Sequence, residues 1–499
     1  MPQQKAVIIG AGIAGIATAI RLAVKGYLVE VFEANSYPGG KLSEIELDGY
    51  RFDAGPSLLT MPQYIDELFA LAGKTPANYF KYQKLDVVCK YFYPDGTKLN
   101  AYADTKKFAE EINAQTGEPV ASVVNYLANS RDIYSITNHV FLERSLHRLQ
   151  TYMRWDTLRS IFRFPQIDPF RTMHKANSGS FKDKRMVQFF DRYATYNGSD
   201  PYQAPATLNV IPHLEHHFGA YFPNGGMYSI TQSLVKLAGE LGVKFHYNAE
   251  VDEIVIEGKR IKGIKIKDKL IEACLVVSNM DIWFTYKHLL TKHPNLHPQN
   301  TLSQERSSSA LIFYWGVKKA FPQLDLHNIF FSEDYKAEFD HIWQQQDIYN
   351  DPTVYINISS KYKQDDAPAG CENWFVMINV PANNGQNWDK LIAIARNNIQ
   401  QKLSKILGED VSQLVICETI LDPRSIETKT SSYKGSIYGT SSNNRFAAFL
   451  RHANRSSKVE GLYFCGGSVH PGGGIPLCLL SAKIVAGLTP TPHPFSREK

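Results

Sequence analysis

Residues 5–33 read KAVIIGAGIAGIATAIRLAVKGYLVEVFE, and this stretch constrains the chain more than any other. The apolar run Lys5–Ile9 ends at glycine, as a strand buried in a parallel sheet does. Gly10-Ala11-Gly12-Ile13-Ala14-Gly15 follows, then a helix-like run closed by Gly26. A second β-rich segment, Tyr27 to Phe32, ends at Glu33, eighteen positions beyond Gly15. This order is a βαβ unit. Its glycines permit a tight turn and close approach of a pyrophosphate, whose charge would sit on the helix N-terminus. Glu33 is placed to accept hydrogen bonds from ribose hydroxyls. Gly10, Gly12, Ile13, Ala14, Gly15, Glu33 and the adjoining Ala34 are therefore candidate dinucleotide-binding residues.

The same stretch superficially resembles a secretory signal, since residues 6–20 carry no charge. Glycines interrupt it, no polar cleavage region follows, and it is shorter than the roughly 20 residues of a membrane span. A cytoplasmic protein is expected. At roughly 150 residues per domain, 499 residues amount to about three domains. The net charge of +5 is too mild to imply nucleic acid. Six cysteines without a CxxC pair read as reduced thiols, not as a zinc site. An aromatic content of 12% hints at a large apolar ligand.

Beyond Glu33, Pro38-Gly39-Gly40-Lys41-Leu42 leads into a hairpin whose turn is Asp48-Gly49, and Asp53-Ala54-Gly55-Pro56-Ser57-Leu58 closes it. Near the other end, Gly461-Leu462-Tyr463-Phe464-Cys465-Gly466-Gly467 reads as a buried strand. Ser468-Val469-His470-Pro471-Gly472-Gly473-Gly474-Ile475-Pro476 then opens a helix from about Leu477 to Ala486. Between them lie Tyr221-Phe222-Pro223-Asn224-Gly225-Gly226-Met227, a segment around Val251, and Val276-Val277-Ser278-Asn279-Met280-Asp281. Taken in order, these motifs resemble the FAD-dependent carotenoid desaturases of the phytoene-desaturase type, over nearly the whole chain. The resemblance implies FAD as cofactor. It adds Gly40, Lys41, Leu42, Ser57, Leu58, Val251, Asn279, Gly466, Gly467, Gly474 and Ile475 to the cofactor-binding candidates. Lys41 would lie beside the phosphates and ribityl chain, and Val251 would meet adenine through its backbone.

The implied fold class is α/β: a discontinuous Rossmann-type FAD-binding domain, an α+β substrate-binding domain and a helical membrane-associating region. The FAD-binding domain would take residues 1–85, 220–285 and 420–490. Residues 86–219 and 286–419 would form the substrate-binding part, helical over 105–215, with a sheet from 305–320 and 370–385. A flexible tail would run over 490–499.

Residues 139–175 carry Arg144, Arg148, Arg154, Arg159, Arg163, Arg171 and Lys175 against Glu143, Asp156 and Asp168, with Met153, Trp155 and phenylalanines interleaved. The pattern suits a helix on an anionic lipid surface, or an ordinary solvated amphipathic helix. The resemblance favours membrane docking, because a carotenoid substrate is drawn from the bilayer. It implies a cytoplasmic protein, peripheral on the inner face of the cell membrane. No nucleic-acid-binding module accompanies the arginines.

His213 and His217 share a helix face but match neither HExxH nor HxxEH, so no metal is expected. Ser468 and His470 lack the elbow and the third acid of a hydrolase. Related desaturases carry an acid at the position of Glu215, which is the catalytic candidate, as proton acceptor or as a helix-packing carboxylate. The run from Cys465 to Ser481 resembles the hydroxycarotenoid 3,4-desaturase branch. This implies 3,4-desaturation of a 1-hydroxycarotenoid end group, with hydride transfer to flavin N5 and proton loss. The electron acceptor would be oxygen or a quinone. Phytoene desaturation, a carotenoid isomerase or ketolase, and an amine-oxidase-like activity are the alternatives.

Overall fold

The computed structural model describes residues 4–147, 149–444 and 450–492. Arg148 and residues 493–499 of the expected tail lie outside them. The opening βαβ unit forms as its glycines and apolar runs require. The strand Lys5–Ile9, the helix Ile13–Val24 and the strand Leu28–Phe32 follow in order, with Lys5 opposite Leu28 and Ile9 opposite Phe32. The strand Leu275–Ser278 pairs on the other side of Lys5–Ile9. Leu462–Phe464 and Lys244–His246 complete a five-stranded, wholly parallel sheet.

That sheet is sandwiched. The helix Ile13–Val24 packs against Tyr228–Glu240 and Ile475–Leu488 in one core with Ala6, Ile8 and Val29. The opposite face, with Val7, Ile9 and Val276, packs against Val251, Ile254 and Ile264 around a three-stranded sheet. Crossovers of hundreds of residues thus bring the first and last glycine turns to the same end of the sheet, at the C-terminal ends of the two strands that flank Leu275–Ser278. Such ends are where open α/β sheets bind ligands.

A seven-stranded sheet forms the second layer, running Val415–Leu421, Ser309–Val317, Glu372–Val380, Val354–Asn357, His327–Phe330, Val87–Phe92 and Lys98–Tyr102. Every residue of Ser309–Val317 is buried, which suits a central strand covered on both faces. On one face, Trp315 lies opposite Trp374 beneath Trp388, Ile392 and Ile399 of the helix Trp388–Leu407. On the other, Ala310, Ile312 and Tyr314 meet Tyr50 and Phe52 of the Asp48-Gly49 hairpin.

The 139–175 segment is not one helix. It comprises a turn Asn138–Leu142, short helices Leu149–Tyr152 and Trp155–Phe162, and a 3-10 turn Phe164–Ile167. Pro165 sits in the first turn of that last piece, and Asp168 adopts a left-handed φ of 52°, which closes it. At the chain's other end Pro490 is tied down, its carbonyl accepting the Tyr27 hydroxyl at 2.8 Å.

Candidate active site

A cavity of about 950 Å³ runs between the two sheets. Its floor is the pair of glycine turns. Gly10 has φ +94°, and its N–H donates to the Phe32 carbonyl at 2.7 Å. The Gly39-Gly40 turn zips onto this loop, the Gly39 N–H donating to the Ala11 carbonyl at 2.8 Å. Gly12, Ile13, Ala14 and Gly40 line the cavity. Gly15 does not. It packs the helix onto the strand, and a Cβ there would lie 2.2 Å from the Gly10 carbonyl oxygen.

Glu33, buried at the end of its strand, accepts the Ala11 N–H at 2.7 Å through one carboxylate oxygen. The other oxygen accepts from the Asn35 backbone N–H and side-chain amide, each at 2.9 Å. The carboxylate therefore braces the turn it faces and keeps lone pairs for ribose hydroxyls. Ala34 and Val251 line the same end, Val251 being buried behind it. Asn279 is also a brace: its oxygen accepts the Gly15 N–H at 3.1 Å and its amide donates to the Cys465 carbonyl at 3.2 Å. One side chain thus joins the first glycine turn to the last.

Gly466, Gly467, Gly474 and Ile475 line the cavity from the C-terminal side. The helices starting at Ile13 and Ile475 are capped by Gly12 and Gly474, with no side-chain cap and no acidic residue in the first turn. Apart from the Gly15 N–H, which Asn279 engages, their first turns leave two positive helix ends beside one cavity. A Cβ on Gly474 would meet nothing within 4 Å. Two glycine-led helix ends, an open cradle and a ribose-facing carboxylate fit the diphosphate and ribose of FAD. Lys41 lines the cavity as well, donating to the Ile437 carbonyl at 3.3 Å. Burial pushes its pKa down to about 8, against the pull of Asp281. Leu42 is buried in the core beneath the cradle, and Leu58 lines its substrate side. Ser57 hydrogen-bonds the Tyr355 hydroxyl at 2.7 Å.

Toward the seven-stranded sheet the wall becomes apolar, with Ile312, Ile329, Phe375 and Met377, and Leu208, Ile211 and Leu214 facing them. Glu215 lies on this wall and is 1% exposed. Tyr193 donates to one of its oxygens at 2.6 Å and Tyr196 to the other, while Arg192 lies 3.6 Å away. Burial raises the Glu215 carboxyl, but Arg192, His216 and the two hydroxyls outweigh it and hold the group below the usual carboxylate value. Arg192 itself sits over Tyr193, Tyr196 and Tyr91, an aromatic cage with ring centroids 4.5, 5.1 and 5.3 Å from the guanidinium carbon.

Sequence reasoning had no reason to select Arg192, His327, Tyr355 or Arg451, because their partners are remote in the chain. Arg451 ties the carbonyls of Tyr438 and Gly467 to the Asn197 side chain, at 3.1, 3.3 and 3.1 Å, behind the last glycine turn. The only local signal is the Arg192-Tyr193 and Tyr196 spacing. His213 stacks on His217 at 4.4 Å between ring centroids. Ser468 accepts the Ile282 N–H at 2.9 Å, whereas His470 Nε2 donates to the Arg144 carbonyl at 2.8 Å, so the two are engaged separately.

A nucleotide cradle on a parallel sheet, opening into an apolar chamber under a second sheet, defines a flavoprotein oxidoreductase. The chain belongs to the flavin-containing amine oxidoreductase family, whose profile matches residues 13–488, and FAD is its cofactor. It is 50% identical over 487 residues to the 1-hydroxycarotenoid 3,4-desaturase of Flavobacterium sp. (strain P99-3), covering 98% of this chain and 99% of that protein. It is 33% identical to the 4,4'-diapolycopene oxygenase of Methylomonas sp, covering 97% of each chain. Among solved structures, an oxidoreductase from Methanosarcina mazei matches with a TM-score of 0.64 and 15% identity, over 97% of this chain and 100% of that one. Cyclohexylamine oxidase from Brevibacterium oxydans matches with a TM-score of 0.62 and 14% identity, over 97% and 98%.

Proposed function

We propose that this chain is a FAD-dependent desaturase that introduces the C3–C4 double bond into the 1-hydroxylated end group of an acyclic carotenoid. The observation that carries the reading is one continuous cavity joining the nucleotide cradle to an apolar wall. Its support comes from half-identity, along nearly the whole chain, to a protein of that activity. When bound, FAD supplies the two-electron acceptor for a hydride removed from the CH–CH unit. The protein's task is to place that bond and exclude water, which the wall of Ile312, Ile329, Phe375 and Met377 suits. Glu215, with both oxygens already engaged and its carboxyl held low, serves here as a positioning residue for Arg192 and the tyrosines.

Incubating FAD-loaded protein with liposomes carrying a 1-hydroxylated acyclic carotenoid or phytoene tests the reading. The expected result is a red shift of the carotenoid spectrum in the hydroxylated sample alone. Colour arising only from phytoene would move the assignment to phytoene desaturation. Movement in neither, with an electron acceptor present, would reject desaturation.

The same reading places the protein on the cytoplasmic side, peripheral on the inner face of the cell membrane, passing electrons to oxygen or a quinone. Met153, Trp155, Phe162 and Phe170 are 73, 81, 84 and 70% exposed amid Arg154, Arg159, Arg163 and Arg171. Phe141, Leu142, Leu146 and Ile167 of the same segment line the cavity. A surface of large exposed apolar side chains ringed by cations suits an anionic lipid interface, and the segment suits a route inward. Among the described residues no helix is long and apolar enough to cross a membrane. Burying one such side chain is worth about 1.5–3 kcal/mol. The double substitution Trp155→Ser, Phe162→Ser is expected to weaken binding to anionic liposomes at least about tenfold in a sedimentation assay, with FAD content unchanged. Undiminished binding would place the docking surface elsewhere.

A further inference from the structure

His327 opens a strand of the seven-stranded sheet, is 4% exposed and lines the cavity. Its Nδ1 lies 2.7 Å from the Tyr355 hydroxyl and 3.3 Å from the Asn357 side-chain nitrogen. That nitrogen also donates to the Leu326 carbonyl at 3.1 Å, which identifies it as the amide NH₂ and so as a donor. Nδ1 therefore accepts, and the ring proton of the neutral imidazole is on Nε2. Burial, the largest influence, pushes the His327 pKa down to about 4, so the ring is neutral at physiological pH. Nε2 has no hydrogen-bond partner. A buried N–H without an acceptor is costly and uncommon in a native interior, and at the wall of a ligand cavity it marks a place where a ligand acceptor belongs.

A second buried donor lies in the same region. Arg192 also lines the cavity, is 6% exposed, and its Nε makes no hydrogen bond. Arg192 and Glu215 are the charged groups that act on the His327 ring. Both residues line the same cavity, and each carries a buried donor without an acceptor.

We propose that His327, with Arg192, forms the subsite that recognises the end-group hydroxyl of the substrate and so sets which end of the carotenoid is oxidised. The inference rests on the desaturase reading above and adds a specificity-determining residue to it. The location agrees with the chemistry. In a 1-hydroxylated end group the oxygen-bearing carbon is only two bonds from C3, so the hydroxyl must be held close to the reacting bond. His327 is joined through Tyr355 to Ser57 by hydrogen bonds of 2.7 Å each. Ser57 stands on the cavity wall beside the Lys41 turn of the cradle.

The test compares a 1-hydroxylated acyclic carotenoid with the same carotenoid lacking the hydroxyl. Two readouts are taken: the ratio of kcat/KM values, and partition from liposomes onto holoenzyme whose flavin is kept reduced, where no turnover occurs. Wild type is expected to favour the hydroxylated compound in both. His327→Asn retains a polar group near Tyr355 but loses the Nε2 donor, and is expected to reduce that preference by about tenfold or more. His327→Gln sets an amide N–H near the Nε2 position and is expected to retain most of the preference. FAD content and Tm of both variants check that they fold.

An undiminished preference in His327→Asn overturns the assignment, as does equal partition of the two carotenoids onto wild type. If wild type desaturates neither compound but binds the hydroxylated one preferentially, and His327→Asn abolishes that preference, the subsite stands and the desaturase reading falls.

Discussion

A Gly15→Val protein is expected to purify without FAD. Gly15 touches no part of the cavity, yet it has no room for a side chain. A Cβ there would lie 2.2 Å from the Gly10 carbonyl oxygen and 3.3 Å from the Asn279 Cβ. Neither neighbour can yield cheaply. Gly10 is the turn itself, and Asn279 holds both the Gly15 N–H and the Cys465 carbonyl. Overpacking of this kind costs about 1–3 kcal/mol, and here the strain falls on the two turns that form the cradle. The ratio of flavin to protein absorbance after purification measures the effect. Gly239→Ala is the control: it lies in the helix Tyr228–Glu240, where an added Cβ meets nothing within 4 Å, and it should leave FAD content unchanged. A Gly15→Val protein with a full complement of FAD would show that the helix can move without disturbing the cradle.

The second large effect is expected at Glu215. Glu215→Leu strands the Arg192 guanidinium in an interior that offers it few other polar partners. Breaking a buried ion pair from one side costs about 3–5 kcal/mol, whereas replacing both partners by apolar side chains is often neutral. Thermal unfolding should therefore show a marked fall in Tm for Glu215→Leu, with most of it restored in Glu215→Leu, Arg192→Met. The pH dependence has a definite sign. The folded-state carboxyl titrates below its unfolded value, so its stabilisation is complete above the usual carboxylate range. It is lost as pH falls through the lower, folded value. Wild type should lose this contribution on acidification, and the double variant should have none to lose. If Glu215→Gln abolished turnover while keeping wild-type Tm, FAD content and substrate binding, Glu215 would be a proton acceptor rather than a positioning residue.

The legible parts of this molecule are those whose physics is local. Lys5–Ile9, the glycine turn and Glu33 announce a βαβ unit because strand, turn and helix each leave a short pattern. The Asp48-Gly49 hairpin is equally plain, both residues adopting the positive φ that such turns need, 48° and 81°. Ser309–Val317 and Glu372–Val380 declared themselves as strands, although nothing local shows that they pair in register over nine residues. The 139–175 segment is amphipathic in composition throughout and predicts a helix, whereas Pro165 and the left-handed Asp168 divide it. The polar chemistry of the substrate chamber was the least visible. His327, Arg192 and Glu215 come from a strand, a turn and a short helix, and only the tertiary fold sets them on one wall. Asn279 stands in a legible strand-end motif, but its work as a brace appears only when Gly15 and Cys465 are seen on either side of it.

The reach of that Asn279 brace bears on how the protein matures. The strand Leu275–Ser278 pairs with Lys5–Ile9 before it and Leu462–Phe464 after it, separations of more than 180 residues in both directions. Contacts between such distant stretches form late, since loop closure must precede any gain from them. The flavin therefore has no finished berth until the earliest and latest parts of the chain have met. A ligand that binds only the completed fold stabilises it by about 2.7 kcal/mol at a hundredfold excess over Kd. Flavin supply in the producing cell thus becomes a determinant of yield: chains waiting for FAD are those most open to proteolysis and aggregation.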